Sequence, residues 1–262
     1  MNEIIDLVAN SDSGDSMVER VVRILGAFDA DHTDLTPSDV ARRSALPMSS
    51  AHRIVGDLLR SGLLERDLEG RVRIGMRLWE LTTRGSRALA LRQAALPAME
   101  RAQAKVGEHV QLCVLDQDEV LVIEQLSAPD AVSNVTTVAG RLPLHASSSG
   151  LVLLAFGRQT LRARVLARPL PAVGPSTITD PVALGRRLEH VRSEGFAVLP
   201  GSIESVATGL SVPVFDRAGM IVAALSAVVP TGWDRERETL AALRSAADAV
   251  AESIADYGIL TH

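Results

Sequence analysis

The chain has 262 residues, a length that suits two ordinary domains better than one. With 47% hydrophobic and 23% charged residues, and no apolar run of about 18 residues, it has the composition of a globular protein and not of one that crosses a bilayer as helices. A net charge of −5 excludes a protein coated in positive potential, and a single cysteine, Cys113, excludes an internal disulfide or a cysteine-rich zinc site.

The first stretch, 1–15, carries Glu3, Asp6, Asp12 and Asp15 and has neither a basic start nor a long apolar core, so it reads as a flexible acidic tail and not as an export signal. With the lone cysteine, this gives a cytoplasmic expectation. Met17, Val18, Val21, Ile24, Leu25 and Phe28 then recur at the spacing of a helix with one buried face. Thr36-Pro37-Ser38-Asp39 supplies a capping threonine, a first-turn proline and an acid at the third position, predicting a short helix to about Ser44. After a turn at Ala45 and Leu46, the residues Ala51, Ile54, Val55, Leu58 and Leu59 predict a third helix that starts at Pro47 and ends near Gly62. Two short runs, 63–66 and 71–74, flank Asp67-Leu68-Glu69-Gly70 and predict a two-stranded wing. Residues 16–76 thus read as a winged helix-turn-helix, whose later helix enters the major groove of double-stranded DNA.

The exposed face expected on the third helix holds Met48, Ser49, Ser50, His52 and Arg53, which offer hydroxyls, an imidazole and a guanidinium to bases and phosphates at a helix N-terminus. Arg42 and Arg43 fall in the last turn of the preceding helix. Arg71 and Arg73 alternate with Val72 and Ile74, so the arginines are expected on one face of the wing and the apolar pair against the helices. Asp57 and the acids of the wing would repel DNA and are expected to point away. Ordinary solvated polar residues on a protein-binding helix, and a charged guard for an edge strand at Arg73, are the alternatives that spacing leaves open.

Residues 77–107 read as a helical connector, restarted or kinked at Pro97. Residues 108–262 mix elements without regular β-α-β alternation. The predicted order is strands at 110–115 and 120–126, helices at 150–156, 160–167 and 181–194, strands at 196–199, 209–215 and 220–228, and a closing helix at 234–257. An α+β domain with an antiparallel sheet follows. The six histidines make no metal-binding pair, no GxSxG elbow or phosphate loop occurs, and Cys113 sits in a β-rich run, so neither an enzyme, a metal nor a cofactor is expected. His145 is expected to be a hydrogen-bonded structural group.

The ordered set from Met17-Val18-Glu19-Arg20-Val21-Val22-Arg23-Ile24-Leu25 through Ala41-Arg42-Arg43-Ser44-Ala45-Leu46-Pro47, His52-Arg53, Gly62-Leu63-Leu64-Glu65 and Gly70-Arg71-Val72-Arg73-Ile74-Gly75 resembles the N-terminal signature of IclR-type regulators. Arg141-Leu142-Pro143-Leu144-His145-Ala146-Ser147, Gly195-Phe196-Ala197-Val198, Pro213-Val214-Phe215-Asp216 and Ala223-Ala224-Leu225-Ser226 resemble that family's effector domain. The resemblance implies a GAF-like effector domain, a homodimer made through the DNA-binding halves and connectors, often paired into a tetramer, and operator binding modulated by a small organic effector. It places the ligand at Ser147, Ser148, Ser149 and Gly150, opposite Leu199, Gly209, Ser226 and Val228. Relatives that bind small acids often carry a carboxylate at the position of Leu199, a cysteine or serine at that of Gly209 and a serine at that of Val228, while many carry lysine at that of Met48. The expected effector is therefore largely apolar or aromatic with at most one anionic group, held by Ser147–Ser149 and Ser226, with Gly209 leaving room for its bulk. Two alternatives stay open: the serine run as a plain helix cap, and a degenerate sensor whose DNA binding ignores ligands.

Overall fold

The computed structural model describes residues 15–256, which fall into two compact units that meet between Ser86 and Arg87 in the chain. The expected acidic tail, up to residue 14, and the end of the expected closing helix at Tyr257 lie outside the described residues.

In the first unit, helices α1 (Met17–Leu25), α2 (Pro37–Arg43) and α3 (Met48–Arg60) surround a core of Ile24, Val40, Ile54, Val55, Leu58, Leu64 and Val72. Local chemistry sets each start. Ser16 and Glu19 form a reciprocal capping box at α1, and the Thr36 hydroxyl accepts the Asp39 N–H at α2, with Pro37 in the first turn. Between α2 and α3 the chain turns at Ala45, whose φ of 51° is unusual for a residue with a Cβ. Arg23 braces that turn from α1, its Nε donating to the Ser44 carbonyl at 2.8 Å and its Nη2 to the Ala45 carbonyl at 2.6 Å. Strands β1 (Leu64–Arg66) and β2 (Val72–Ile74) pair antiparallel. The Asp67 carboxylate accepts the N–H groups of Glu69 and Arg71, and Gly70, at a φ of 83°, closes the turn. Leu35 exchanges both backbone hydrogen bonds with Val72, adding a bridge on the free side of β2. Ile74, expected to pack with Val72, is 38% exposed at the last position of β2, and Arg71 precedes the strand.

The expected connector is two helices belonging to different units. Helix α4 (Met76–Thr83) ends at Arg84-Gly85-Ser86, and α5 (Arg87–Val106) begins the second unit. Pro97 neither restarts nor ends α5. The carbonyl it leaves unbonded belongs to Gln93, and both residues are exposed, so water can satisfy it. Leu91, Ala95, Met99, Ala102 and Val106 instead bury α5 in the second unit's core.

That unit is built on a six-stranded antiparallel sheet in the order β5-β4-β3-β8-β7-β6. Its strands are β3 (His109–Asp116), β4 (Glu119–Leu126), β5 (Arg141–Pro143), β6 (Ala197–Pro200), β7 (Ala207–Phe215) and β8 (Ile221–Pro230). Alternation sorts side chains onto two faces. Val110, Leu112, Leu210, Val212, Leu225 and Val229 meet α5 and α9 (Glu236–Asp256) on one face. On the other, Cys113, Ala197, Leu199 and Ala224 meet α6 (Ser148–Phe156), α7 (Gln159–Leu166) and α8 (Pro181–Glu194). Helix α6 is buried along nearly its whole length, which matches a sequence apolar on every side. Strand β5, which pairs with the β4 end of the sheet, carries no strand pattern of its own in the sequence.

Candidate functional site

On the first unit, α3 turns Met48, Ser49, His52 and Arg53 to the outside, with Ser50 half-buried, while Ala51, Ile54, Val55 and Leu58 face inward. No side chain caps its N-terminus, which also lacks acids, so its first backbone N–H groups are open to an anion. The acids expected to point away from DNA are paired with arginines. Asp57 lies 3.6 Å from Arg53 and bonds Arg60, Arg71 holds Asp67 at 3.1 Å and Glu69 at 2.6 Å, and Arg73 reaches Glu65 at 3.4 Å. Hydrogen bonding to Asp67, with the Glu69 and Asp67 charges, raises the Arg71 pKa above its usual value. Glu65 also accepts the Met76 N–H, which holds its own pKa down and ties the wing to α4. Arg42 is exposed, with one ion pair to Asp39 at 2.8 Å. Arg43 is turned inward, its Nε donating to the Ala27 carbonyl at 2.7 Å and its Nη2 to Asp29 at 2.5 Å, so it fastens α2 to the end of α1 rather than facing outward. Sequence reasoning passed over Arg23, although an arginine on the inner side of α1 was the available signal.

In the second unit, a cavity of about 60 Å³ lies on the α6 face of the sheet. Ser147, Ser148, Ser149, Leu199, Gly209, Ser226 and Val228 all line it. Register explains the convergence, because Leu199 pairs with Gly209 and Gly209 with Val228 across three strands, while Gln111 and Ser226 form the neighbouring row. Gly150 is a correction. It does not line the cavity, and a Cβ there would fall on the Leu144 carbonyl, so glycine lets α6 approach the chain that enters it. Gly209 leaves no spare room either, since a Cβ would lie 2.6 Å from the Ser148 hydroxyl, which fills that space.

The serine hydroxyls divide their work. Ser147 caps α6 by accepting the Gly150 N–H and donates to the Pro143 carbonyl, Ser149 and Ser226 bond the Cys113 thiol, and Ser226 also donates to Ser211 at 3.0 Å. Burial pushes the Cys113 pKa up to about 12, so this thiol is inert at neutral pH. The backbone N–H groups of Ser148 and Ser149, in the first turn of α6, have no helical carbonyl to bond, so the N-terminal end of α6 offers donors and a positive dipole end to the cavity. Among the described residues no arginine, lysine or histidine lines it. His145 is spent elsewhere, donating through Nε2 to the Pro171 carbonyl. Sequence reasoning missed the rest of the wall. Asn134, Val135 and Thr136 come from the segment between β4 and β5, and Ser202 and Glu204 from the β6–β7 loop. Among the described residues no cluster of histidine, cysteine and acids could hold a metal ion, and no helix is long and apolar enough to cross a membrane.

A winged helix-turn-helix, followed in the same chain by a domain with a cavity lined by both polar and apolar residues, is the construction of a ligand-responsive DNA-binding regulator. The chain belongs to the IclR family: residues 17–68 match the IclR helix-turn-helix domain and residues 86–255 the bacterial transcriptional regulator IclR C-terminal domain. It is therefore a DNA-binding transcriptional regulator whose operator binding responds to a small organic effector. An IclR homolog from Microbacterium hydrocarbonoxydans, solved in complex with 4-hydroxybenzoate, is 53% identical with a TM-score of 0.86, covering 91% of this chain and 99% of that one. An IclR homolog from Microbacterium sp. strain HM58-2 is 52% identical with a TM-score of 0.61, covering 92% and 98%. Among characterised regulators, KipR of Bacillus subtilis is 28% identical over 193 residues, 73% of this chain and 77% of its own length.

Proposed function

We propose that the effector is an aromatic monocarboxylate of the size of a hydroxybenzoate, bound in the cavity beneath α6, and that the protein carries no catalytic activity of its own. The observation that carries this reading is a cavity that, among the described residues, has the α6 N-terminus to attract an anion and no cationic side chain. One carboxylate suits such a wall, and a second would be desolvated without a partner. At roughly 10–15 Å³ of such space per water, the cavity holds about four to six waters, enough for a single ring and too little for a large ligand. Leu142, Leu199, Ala207 and Val228 supply apolar surface for the ring. The 4-hydroxybenzoate held by the 53%-identical homolog is of this class.

The DNA-contacting surface in this reading is Arg42, Met48, Ser49, Ser50, His52 and Arg53, with Arg71 and Arg73 on the wing. Assembly into a homodimer in the cytoplasm, acting on a roughly palindromic operator, completes it. Val18 and Val22 on α1, and Trp79 and Leu81 on α4, are large apolar residues left exposed, as a surface awaiting a second copy would leave them.

The test is a thermal melt of the full chain against 4-hydroxybenzoate, benzoate and glyoxylate. At about 100 times its Kd a ligand stabilises by about 2.7 kcal/mol, at the cost of no other change in conditions. The aromatic acids are expected to raise the melting temperature of the effector domain and glyoxylate to leave it in place. Stabilisation by glyoxylate alone would contradict the proposal.

A further inference from the structure

Two buried polar atoms among the described residues have no hydrogen-bond partner, Asn134 Nδ2 and Ser202 Oγ, and both belong to residues that line the cavity. Ser202 is only 3% exposed. Leaving a buried donor unmet is costly, and such groups in a folded protein call for a partner. The fold holds both residues firmly. The Ser202 carbonyl accepts the Thr177 hydroxyl at 2.5 Å, and the Asn134 side-chain oxygen accepts the Thr136 N–H at 3.0 Å, which leaves its amide nitrogen as the unused end. A third group joins them, since Glu204, also in the wall, accepts the Val135 N–H at 3.2 Å and so ties the segment carrying Asn134 to the loop carrying Ser202.

We propose that Asn134, Ser202 and Glu204 form a second polar subsite that reads a neutral hydroxyl on the effector, remote from its carboxylate. The inference rests on the reading of this cavity as the effector site. A hydroxyl is the group that fits, because it accepts from Asn134 Nδ2 or Ser202 Oγ while donating its own hydrogen to the Glu204 carboxylate. The same carboxylate turns away a second anionic group at this end, so the effector's own carboxylate is directed to the N–H groups of Ser148 and Ser149. Hydroxybenzoates are thereby separated from plain benzoate by what they gain here, and from benzene-1,4-dicarboxylate by what the latter would meet.

Calorimetric titration of the full chain with benzoate, 4-hydroxybenzoate and benzene-1,4-dicarboxylate, repeated on Ser202→Ala and Glu204→Gln, tests this. The glutamine keeps an acceptor for the Val135 N–H, and Ser202→Ala removes a hydroxyl with no partner in the protein, so both variants are expected to fold. In the unsubstituted chain, 4-hydroxybenzoate is expected to bind at least about tenfold tighter than benzoate, which is the worth of one good hydrogen bond to a buried group. Both substitutions should shrink that ratio toward one by weakening 4-hydroxybenzoate more than benzoate, and Glu204→Gln should improve binding of the dicarboxylate. If benzoate binds but the ratio is near one, or survives both substitutions, the subsite is wrong and the effector cavity stands. If none of the three acids binds, the cavity reading falls and the subsite with it.

Discussion

At the scale of the residue, Arg43 and Arg53 show how one side-chain chemistry takes two roles. Arg43 satisfies a backbone carbonyl and Asp29 inside the unit, whereas Arg53 projects from α3 with only a long contact to Asp57. Arg53 can exchange that carboxylate for a phosphate at little cost, because an exposed pair at 3.6 Å contributes less than about 1 kcal/mol. Arg53→Ala is expected to weaken operator binding, to lower the log–log salt slope by about one and to leave the melting temperature nearly unchanged. Arg43→Ala should instead lower the melting temperature, since it leaves the Ala27 carbonyl without its donor and unfastens α2 from the segment after α1. Gel-shift titrations at several salt concentrations, beside thermal melts, check both, and an Arg53→Ala protein with unaltered affinity would remove that residue from the interface. Arg43 and its neighbour Arg42 were alike in sequence because adjacent positions in the last turn of α2 carry no mark of which one faces inward. The pairing of Asp57 and the wing acids with arginines was equally hidden, since it depends on rotamers that spacing does not specify.

At the scale of the element, α6 carries the effector site, and its placement depends on two glycines. Gly150 lies where a methyl group would meet the Leu144 backbone, and Gly209 where the Ser148 side chain sits. A glycine within a helix ordinarily costs about 1 kcal/mol relative to alanine, so Gly150→Ala would be stabilising on propensity alone. Overpacking against fixed backbone outweighs this, at about 1–3 kcal/mol or more, and the effector domain of Gly150→Ala is expected to melt several degrees lower. An unchanged or raised melting temperature would mean that α6 does not depend on the close approach at Leu144. The start of α6 was legible, because Ser147 followed by an apolar run is a cap signal. What the hydroxyls do was not, since Ser149 and Ser226 meet at Cys113 only through the pairing of β3 with β8. The three residues of β5 were too few to show a period of two, and the sequence around Pro97 suggested a break that the packing of α5 against α9 overrides.

At the scale of the whole molecule, the order of elements and the α+β class were readable because hydrophobic period and turn residues are local properties. Seven of the eight positions carried over for the effector site do line the cavity. Of the rest of the wall, Asn134 to Thr136 and Ser202 to Glu204 come from loops without periodicity, joined by the hydrogen bond from the Val135 N–H to Glu204. The central claim is that one chain couples this cavity to the operator, and such coupling is a free energy that must read the same from either side. The most direct measurement is therefore the Kd for operator DNA with and without saturating 4-hydroxybenzoate, alongside the Kd for 4-hydroxybenzoate with and without saturating operator. The account predicts that each ligand changes the other's affinity by one common factor, in the range of about 5–150-fold. Tight binding of both ligands with a factor of one would contradict it.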